Sequence, residues 1–301
     1  MKHAVLGVGG VGGLIAGALA HLGESVTLVV RPDALPDTPA DLSVESSLGS
    51  FSVAVDRVGS LRTDCDVLWI AVKATQLDGA LKQVSTDARI GAIVPLLNGI
   101  DHVELLRSRF GGSQFSHDRV VPATISVESE RVAPGRIVHR SPFVRLRIAA
   151  AGKPLLEAPV AKLRQFGFDC EFIEKEADLL WSKLVFIAPL ALATTASNRT
   201  AGEVAADPEW RGRLEACARE ACAVAVASGA QVDAVRVTTM LLALPPGMRS
   251  SMQKDVAAEK PPELDAIAGP ILRGGRKLGI DVSTTHQLVE TIEKKVSAHA
   301  R

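Results

Sequence analysis

Hydrophobic positions in the first half of the chain fall in short continuous runs, separated by polar or glycine-rich segments. Residues 4–6, 26–30, 66–72 and 91–97 read as strands. The unbroken apolar run of the third is the pattern of a strand buried on both faces of a parallel sheet. Between the first two runs Val11, Leu14, Ile15, Ala18, Leu19 and Leu22 recur at helical spacing. Residues 76–84 and 101–110 read as further helices, and residues 42–58 as two strands about Leu48-Gly49, an additional hairpin. Residues 32–40 carry three prolines and read as a loop. Residues 119–150 turn β-rich, with runs at 119–127, 135–139 and 143–149 between Pro-Gly and Ser-Pro turns. They are expected to close the sheet of a first domain. From Leu155 onward the spacing is helical apart from a short strand near 168–173. The helices are predicted at 177–196, 209–228, 234–244, 264–278 and 283–298.

The glycine cluster Gly7-Val8-Gly9-Gly10-Val11-Gly12 joins the first strand to the first helix in the GxGxxG pattern. Strand, glycine turn, helix and second strand together make the context of a dinucleotide fingerprint. Gly7 permits the tight turn, Gly9 lets backbone approach a pyrophosphate, and Gly12 lets the helix pack close to the strand. The N–H groups that open the helix, at Gly10 and Val11, and its positive dipole end then face the phosphates. The second strand ends at Arg31, where an NAD site usually carries Asp or Glu. A guanidinium pairs with a 2′-phosphate that a carboxylate would repel, which points to NADP(H). Asp33 follows Pro32 and is a weaker candidate for the ribose. The fold class predicted is an α/β Rossmann-type dinucleotide-binding domain over residues 1–165, followed by an all-α substrate and catalytic domain over residues 166–301.

Composition narrows the partners. The chain has 301 residues, 47% hydrophobic and 23% charged, long enough for two domains of ordinary size. Its 34 basic and 34 acidic residues balance, so nothing points to nucleic acid. No apolar run approaches the ~20 residues of a membrane span. The first strand begins almost at Met1, which is expected to leave no room for a signal peptide. Cys65, Cys170, Cys217 and Cys222 form no CxxC pair and no metal set, and suit free thiols in a cytoplasmic protein. The expected partner is a small-molecule 2-keto acid or carbonyl compound, and a homodimer stands as the candidate assembly.

Hydride transfer to a carbonyl needs a group that protonates the developing alkoxide. The chain has no tyrosine, which removes the Tyr-based mechanism. His139 follows a Pro-Gly turn and a short strand, and His286 lies in the last helix; both compete with ordinary structural roles. Lys183 stands alone in the apolar stretch Leu179-Leu180-Trp181-Ser182-Lys183-Leu184-Val185-Phe186-Ile187. Burial is costly for a lysine unless it faces a cleft, and it lowers the pKa; a lysine whose head snorkels to solvent is the competing reading. Ser250-Ser251-Met252 and Glu263 open two later helices, where capping and dipole chemistry suffice to explain them.

As an ordered set these segments resemble the ketopantoate reductase (2-dehydropantoate 2-reductase) family. The set is Gly7-Gly9-Gly12, Arg31, Val72-Lys73-Ala74, Asn98-Gly99, Pro134-Gly135-Arg136-Ile137-Val138-His139, Trp181-Ser182-Lys183-Leu184, Ser250-Ser251-Met252 and Glu263. The resemblance covers nearly the whole chain. It implies an NADP-dependent oxidoreductase that reduces a 2-keto acid of the 2-dehydropantoate type. It makes Lys183 the general acid, puts Asn98 on the nicotinamide ribose or the substrate, and places Lys73 near the cofactor. It gives Ser251 the substrate carboxylate, and Glu263 a substrate hydroxyl or the cofactor ribose together with the orientation of Lys183. The acid would then come from the helical domain and the cofactor from the first. The chain departs from the family where substrate is held: Ile187 and Ala191 stand where asparagines are usual, four and eight residues after the lysine. Ala201 and Ala268 likewise replace polar residues. This face predicts weaker selection for ketopantoate than for a hydrocarbon-tailed 2-keto acid. Two alternatives stay open: a reductase of the same fold acting on a more apolar carbonyl or imine, and a non-catalytic NADP(H)-binding regulatory protein.

Overall fold

A computed structural model of the chain describes residues 1–111 and 119–299. The chain forms two compact units. The first is Met1–Leu97 with His102–Glu176, and the second is Asn98–Asp101 with the chain from Ala177 onward.

The first unit runs β1 (Lys2–Leu6), α1 (Gly10–His21), β2 (Ser25–Val29), β3 (Asp41–Glu45), β4 (Phe51–Ala54), β5 (Asp56–Val58), β6 (Cys65–Ile70), α2 (Leu77–Leu81), β7 (Ile90–Pro95), α3 (His102–Phe110), β8 (Ala123–Ser126), β9 (Ser129–Ala133), β10 (Arg136–His139), β11 (Arg145–Ala149), α4 (Lys153–Phe166) and β12 (Asp169–Ile173). Five strands make a parallel sheet in the order β5-β2-β1-β6-β7. The apolar runs noted in the sequence are its centre: Ala4, Val5, Leu6 and Val67 through Ile70 are all buried. Such an order places the carboxyl ends of β1 and β6, with the turns that follow them, at one edge, where open α/β sheets bind ligands.

The β-rich stretch after residue 119 meets this sheet only at a single parallel bridge, Val120 beside Ile93 of β7, and its strands go elsewhere. β3 and β4 form the expected hairpin, but they pair with β10 and β9 in a separate four-stranded sheet, β4-β3-β10-β9. β8, β11 and β12 make a third sheet in the order β12-β11-β8. The four-stranded sheet covers α1, and the glycines of that helix let it approach. A Cβ at Gly10 would meet the Ser129 carbonyl oxygen at 2.0 Å, one at Gly13 the Ile137 side chain at 2.3 Å, and one at Gly17 Val44 at 2.6 Å. The change to helical character expected at residue 165 comes later in space. α4 and β12 stay with the first unit because β12 completes a sheet there, so the division falls after Glu176.

The second unit is helical: α5 (Glu176–Ser197), α6 (Ala201–Ala206), α7 (Pro208–Ala227), α8 (Ala234–Leu242), α9 (Ser251–Ala257), α10 (Leu264–Leu278) and α11 (Ser283–His299). Side-chain caps set several of the starts. Thr200 and Glu203 form a capping box on α6, Asp207 accepts from the Glu209 and Trp210 amides, Asp233 caps α8, and the Ser250 hydroxyl accepts from the Gln253 amide. α5 is the most buried of these helices, with fourteen of its residues buried. Among the described residues it is the one helix long and apolar enough to cross a membrane, and 78% of that window is buried inside the protein. All four cysteines are buried free thiols.

Candidate active site

The glycine turn between β1 and α1 has three different reasons for its glycines. Gly7 sits at φ +96°, where an L side chain is strained, and a Cβ there would also meet Val72 Cγ1 at 2.6 Å. A Cβ at Gly12 would meet the Gly7 carbonyl oxygen at 2.0 Å, so this position lets helix and turn touch. Gly9 is the opposite case: a Cβ there would meet nothing within 4 Å. It borders open space at the start of α1. That start has no side-chain cap and no acidic residue in its first turn. An uncapped helix start with room beside it suits a phosphate, so the residues present fit a dinucleotide.

Arg31 lies just beyond the carboxyl end of β2, before a single 3-10 turn at Pro32–Ala34. Its side chain is 72% exposed, with Nε 3.7 Å from Asp33 Oδ1. Lys73 follows β6 at the same edge of the sheet and precedes the 3-10 turn Ala74–Gln76.

In the second unit three of the expected residues meet. The Lys183 ammonium donates to Asn98 Oδ1 at 3.0 Å, and the Asn98 amide donates to Glu263 Oε2 at 3.2 Å. Each comes from a different element. Lys183 stands near the start of α5. Asn98 follows β7 in the segment that joins the helical unit. Glu263 immediately precedes α10, whose N-terminal dipole favours a carboxylate there. Burial pushes the Lys183 pKa down from 10.5 to about 8, against an upward pull from the Glu263 carboxylate. Glu263 is itself buried. The amide of Asn98 settles both charged neighbours at once, its oxygen toward the cation and its NH₂ toward the anion. The result is a lysine held in one orientation, with a pKa close to neutrality, that can supply or take a proton.

The remaining candidates are spread along the helices. Ser251 is exposed at the first position of α9, while its neighbour Ser250 is buried and makes the cap. Ser250 Oγ also lies 2.8 Å from Thr194 Oγ1, and Thr194 donates to the Leu190 carbonyl at 2.7 Å, so Ser250 is the donor between the two hydroxyls. This tie between α5 and α9 has no sequence signal beyond the cap. Of the two apolar positions expected beside the lysine, Ile187 is half-buried and Ala191 is enclosed in the helical core. His139 is buried, with Nδ1 2.8 Å from Ser46 Oγ and Nε2 3.0 Å from Ser141 Oγ, which accounts for it structurally. His286 pairs with Glu290 on the exposed side of α11.

Comparison with known proteins follows the same division. Residues 3–152 match the family described as Ketopantoate reductase PanE/ApbA, and residues 177–296 match Ketopantoate reductase PanE/ApbA C terminal. A 2-dehydropantoate 2-reductase of Caulobacter vibrioides is 30% identical over 286 residues, covering 92% of this chain and 93% of its own. Two solved structures share the fold with a TM-score of 0.85: a PanE/ApbA family ketopantoate reductase from Ralstonia eutropha at 24% identity, and D-mandelate dehydrogenase with NADH and anilino(oxo)acetate at 18%. In both cases the whole of each chain is covered, 100% of this one and 100% of the other.

Proposed function

The chain belongs to the ketopantoate reductase family, and we propose that it is an oxidoreductase that reduces a 2-keto acid of the 2-dehydropantoate type with NADPH, Lys183 acting as general acid. The observation that carries this reading is the hydrogen-bonded run Lys183–Asn98–Glu263. A non-catalytic sensor has no use for a lysine desolvated and aimed by an amide. The relative named above as a 2-dehydropantoate 2-reductase favours the keto acid over an imine or a plain apolar carbonyl.

A bound nicotinamide supplies the hydride. The chain's own part is to hold that cofactor, seat the substrate and move a proton. Gly9 and the opening N–H groups of α1 receive the pyrophosphate, and Arg31 pairs with the 2′-phosphate that distinguishes NADPH. Lys73 stands at the same sheet edge, near the cofactor. Ser251 takes the substrate carboxylate. Glu263 accepts from a substrate or ribose hydroxyl while keeping the region around Lys183 negative. With its pKa at about 8, Lys183 is mostly protonated at neutral pH. It donates to the carbonyl oxygen as negative charge develops there, and is left as a neutral amine that recovers its proton from solvent.

The test is a turnover screen of the purified protein over 2-keto acids with NADPH, including 2-dehydropantoate and acids with plain hydrocarbon tails. Reduction of 2-dehydropantoate is expected. Turnover confined to imines or to carbonyl compounds without a carboxylate would reject the substrate assignment.

A further inference from the structure

Asn98 reaches Lys183 and Glu263 because a four-residue segment, Asn98–Asp101, packs with the helical unit while the chain before and after it packs with the other. Something must hold so short a segment in place: Ile100 packs against the apolar core of the helical unit, and a contact on either side of it fixes the backbone. Gly99, at φ +84°, lies so close to α10 that a Cβ on it would meet the Ala266 carbonyl oxygen at 2.3 Å. Two residues on, Asp101 Oδ2 accepts from Arg273 Nη2, and Arg273 Nη1 donates to Asp265 Oδ1 at 2.6 Å. Arg273 belongs to α10, and its guanidinium lies back over the preceding turn. The seat is Gly269: a Cβ there would meet Arg273 Nη2 at 2.2 Å, Asp265 Oδ1 at 2.5 Å and Arg273 Cζ at 2.7 Å. The glycine therefore leaves space for an arginine that grips the start of its own helix with one nitrogen and the Asn98 segment with the other.

We propose that Arg273 and Asp101 are positioning residues, their ion pair seated over Gly269 and holding Asn98 between Lys183 and Glu263 during turnover. The proposal rests on Lys183 being the proton donor. Asp101 and Arg273 are 55% and 51% exposed, so the pair adds little to stability. Its effect is on placement, to which catalysis is far more sensitive: a misplacement of about 1 Å costs roughly 100-fold.

The experiment measures kcat for 2-dehydropantoate with NADPH and the titration of Lys183 by NMR of ¹³Cε-labelled lysine. The proteins are the parent, Arg273→Gln, Gly269→Ala, the double variant and Arg273→Lys. Arg273→Gln should lower kcat about 10-fold or more and leave NADPH affinity and the melting temperature nearly unchanged. It should also move the Lys183 pKa below about 8, because the Asn98 oxygen no longer supports the ammonium. Gly269→Ala should do the same in the parent and add nothing once Arg273 is gone, and Arg273→Lys should recover part of the loss. A Gly269→Ala loss of equal size in both backgrounds would assign the glycine to helix packing and overturn the proposal. So would an Arg273→Gln variant with parental kcat and parental Lys183 titration. If the parent itself fails to turn over, the functional reading fails alone, and the lysine titration decides this one.

Discussion

Replacing Lys183 by methionine should make the folded protein more stable while abolishing its chemistry. Methionine keeps the length and apolar body of the side chain and removes the ammonium. In the folded protein the pKa of Lys183 lies at about 8 against an ordinary 10.5, a preference for the neutral amine worth about 3 kcal/mol. That is the penalty the protonated parent carries at neutral pH. The variant loses the hydrogen bond to Asn98, which offsets about 1 kcal/mol. The net expectation is a gain of about 2 kcal/mol near neutral pH. The sign with pH follows from the same shift. Below pH ~8 both folded and unfolded parent hold the proton, and the penalty is present in full. Between about 8 and 10.5 the folded parent has released it while the unfolded chain has not, so the parent gains stability as pH rises, and the variant's advantage shrinks and turns into a deficit of about 1 kcal/mol, the hydrogen bond it lacks. Urea unfolding of both proteins, compared at a series of pH values from neutral to alkaline, reads the difference directly. A variant less stable than the parent at neutral pH, by an amount independent of pH, would refute the picture of a desolvated lysine.

The other expectations concern the same site and the cofactor. Glu263→Gln removes the charge that pulls the Lys183 pKa up, so the alkaline fall in kcat should begin at lower pH than in the parent, as a pH–rate profile would reveal. Gly9→Ala should leave the melting temperature almost unchanged yet weaken NADPH binding, because its Cβ enters open space at the helix start, whereas Gly12→Ala, which meets a carbonyl oxygen at 2.0 Å, should cost stability first; a thermal melt and a cofactor titration on each separate the two. Arg31→Ala should narrow the gap between NADPH and NADH dissociation constants, and equal constants in the parent would remove the argument from Arg31. Thr194→Val takes the acceptor from the buried Ser250 O–H, while the oxygen keeps its bond from the Gln253 amide, and should cost about 1–2 kcal/mol in urea unfolding, with Thr194→Ser recovering most of it.

How far the sequence reveals this molecule depends on how local each feature is. The parallel sheet and the glycine turn are local in pattern, with apolar runs, glycines at fixed offsets and a helical period between them. The strands after residue 119 are equally visible, but their pairing is not. Nothing in the runs at 135–139 or 143–149 tells whether they extend the parallel sheet or take β3 and β12 as partners, since that choice is made by distant strands. The same holds at the division between the units. α4 is an ordinary helix in sequence, and its packing against α1 and β7, together with the pairing of β12 with β11, assigns it to the first unit. In the site, Lys183 stands out as a lone cation in an apolar helix, and Asn98 and Glu263 enter through the resemblance. That all three touch follows from the detour of Asn98–Asp101, which has no signature. Asp101 and Arg273 are 172 residues apart and look like any surface charges until the fold brings them together.

In the proposed NADPH-dependent reduction of a 2-keto acid, the proton comes from Lys183. Steady-state reduction of 2-dehydropantoate by the parent and Lys183→Ala, measured side by side with NADPH binding checked for both, tests it most directly. The parent is expected to turn over, with kcat about 10²–10⁴-fold lower in the variant and NADPH affinity nearly equal in the two. A variant that turns over at the parental rate, or a parent that binds NADPH and reduces no 2-keto acid, would contradict it.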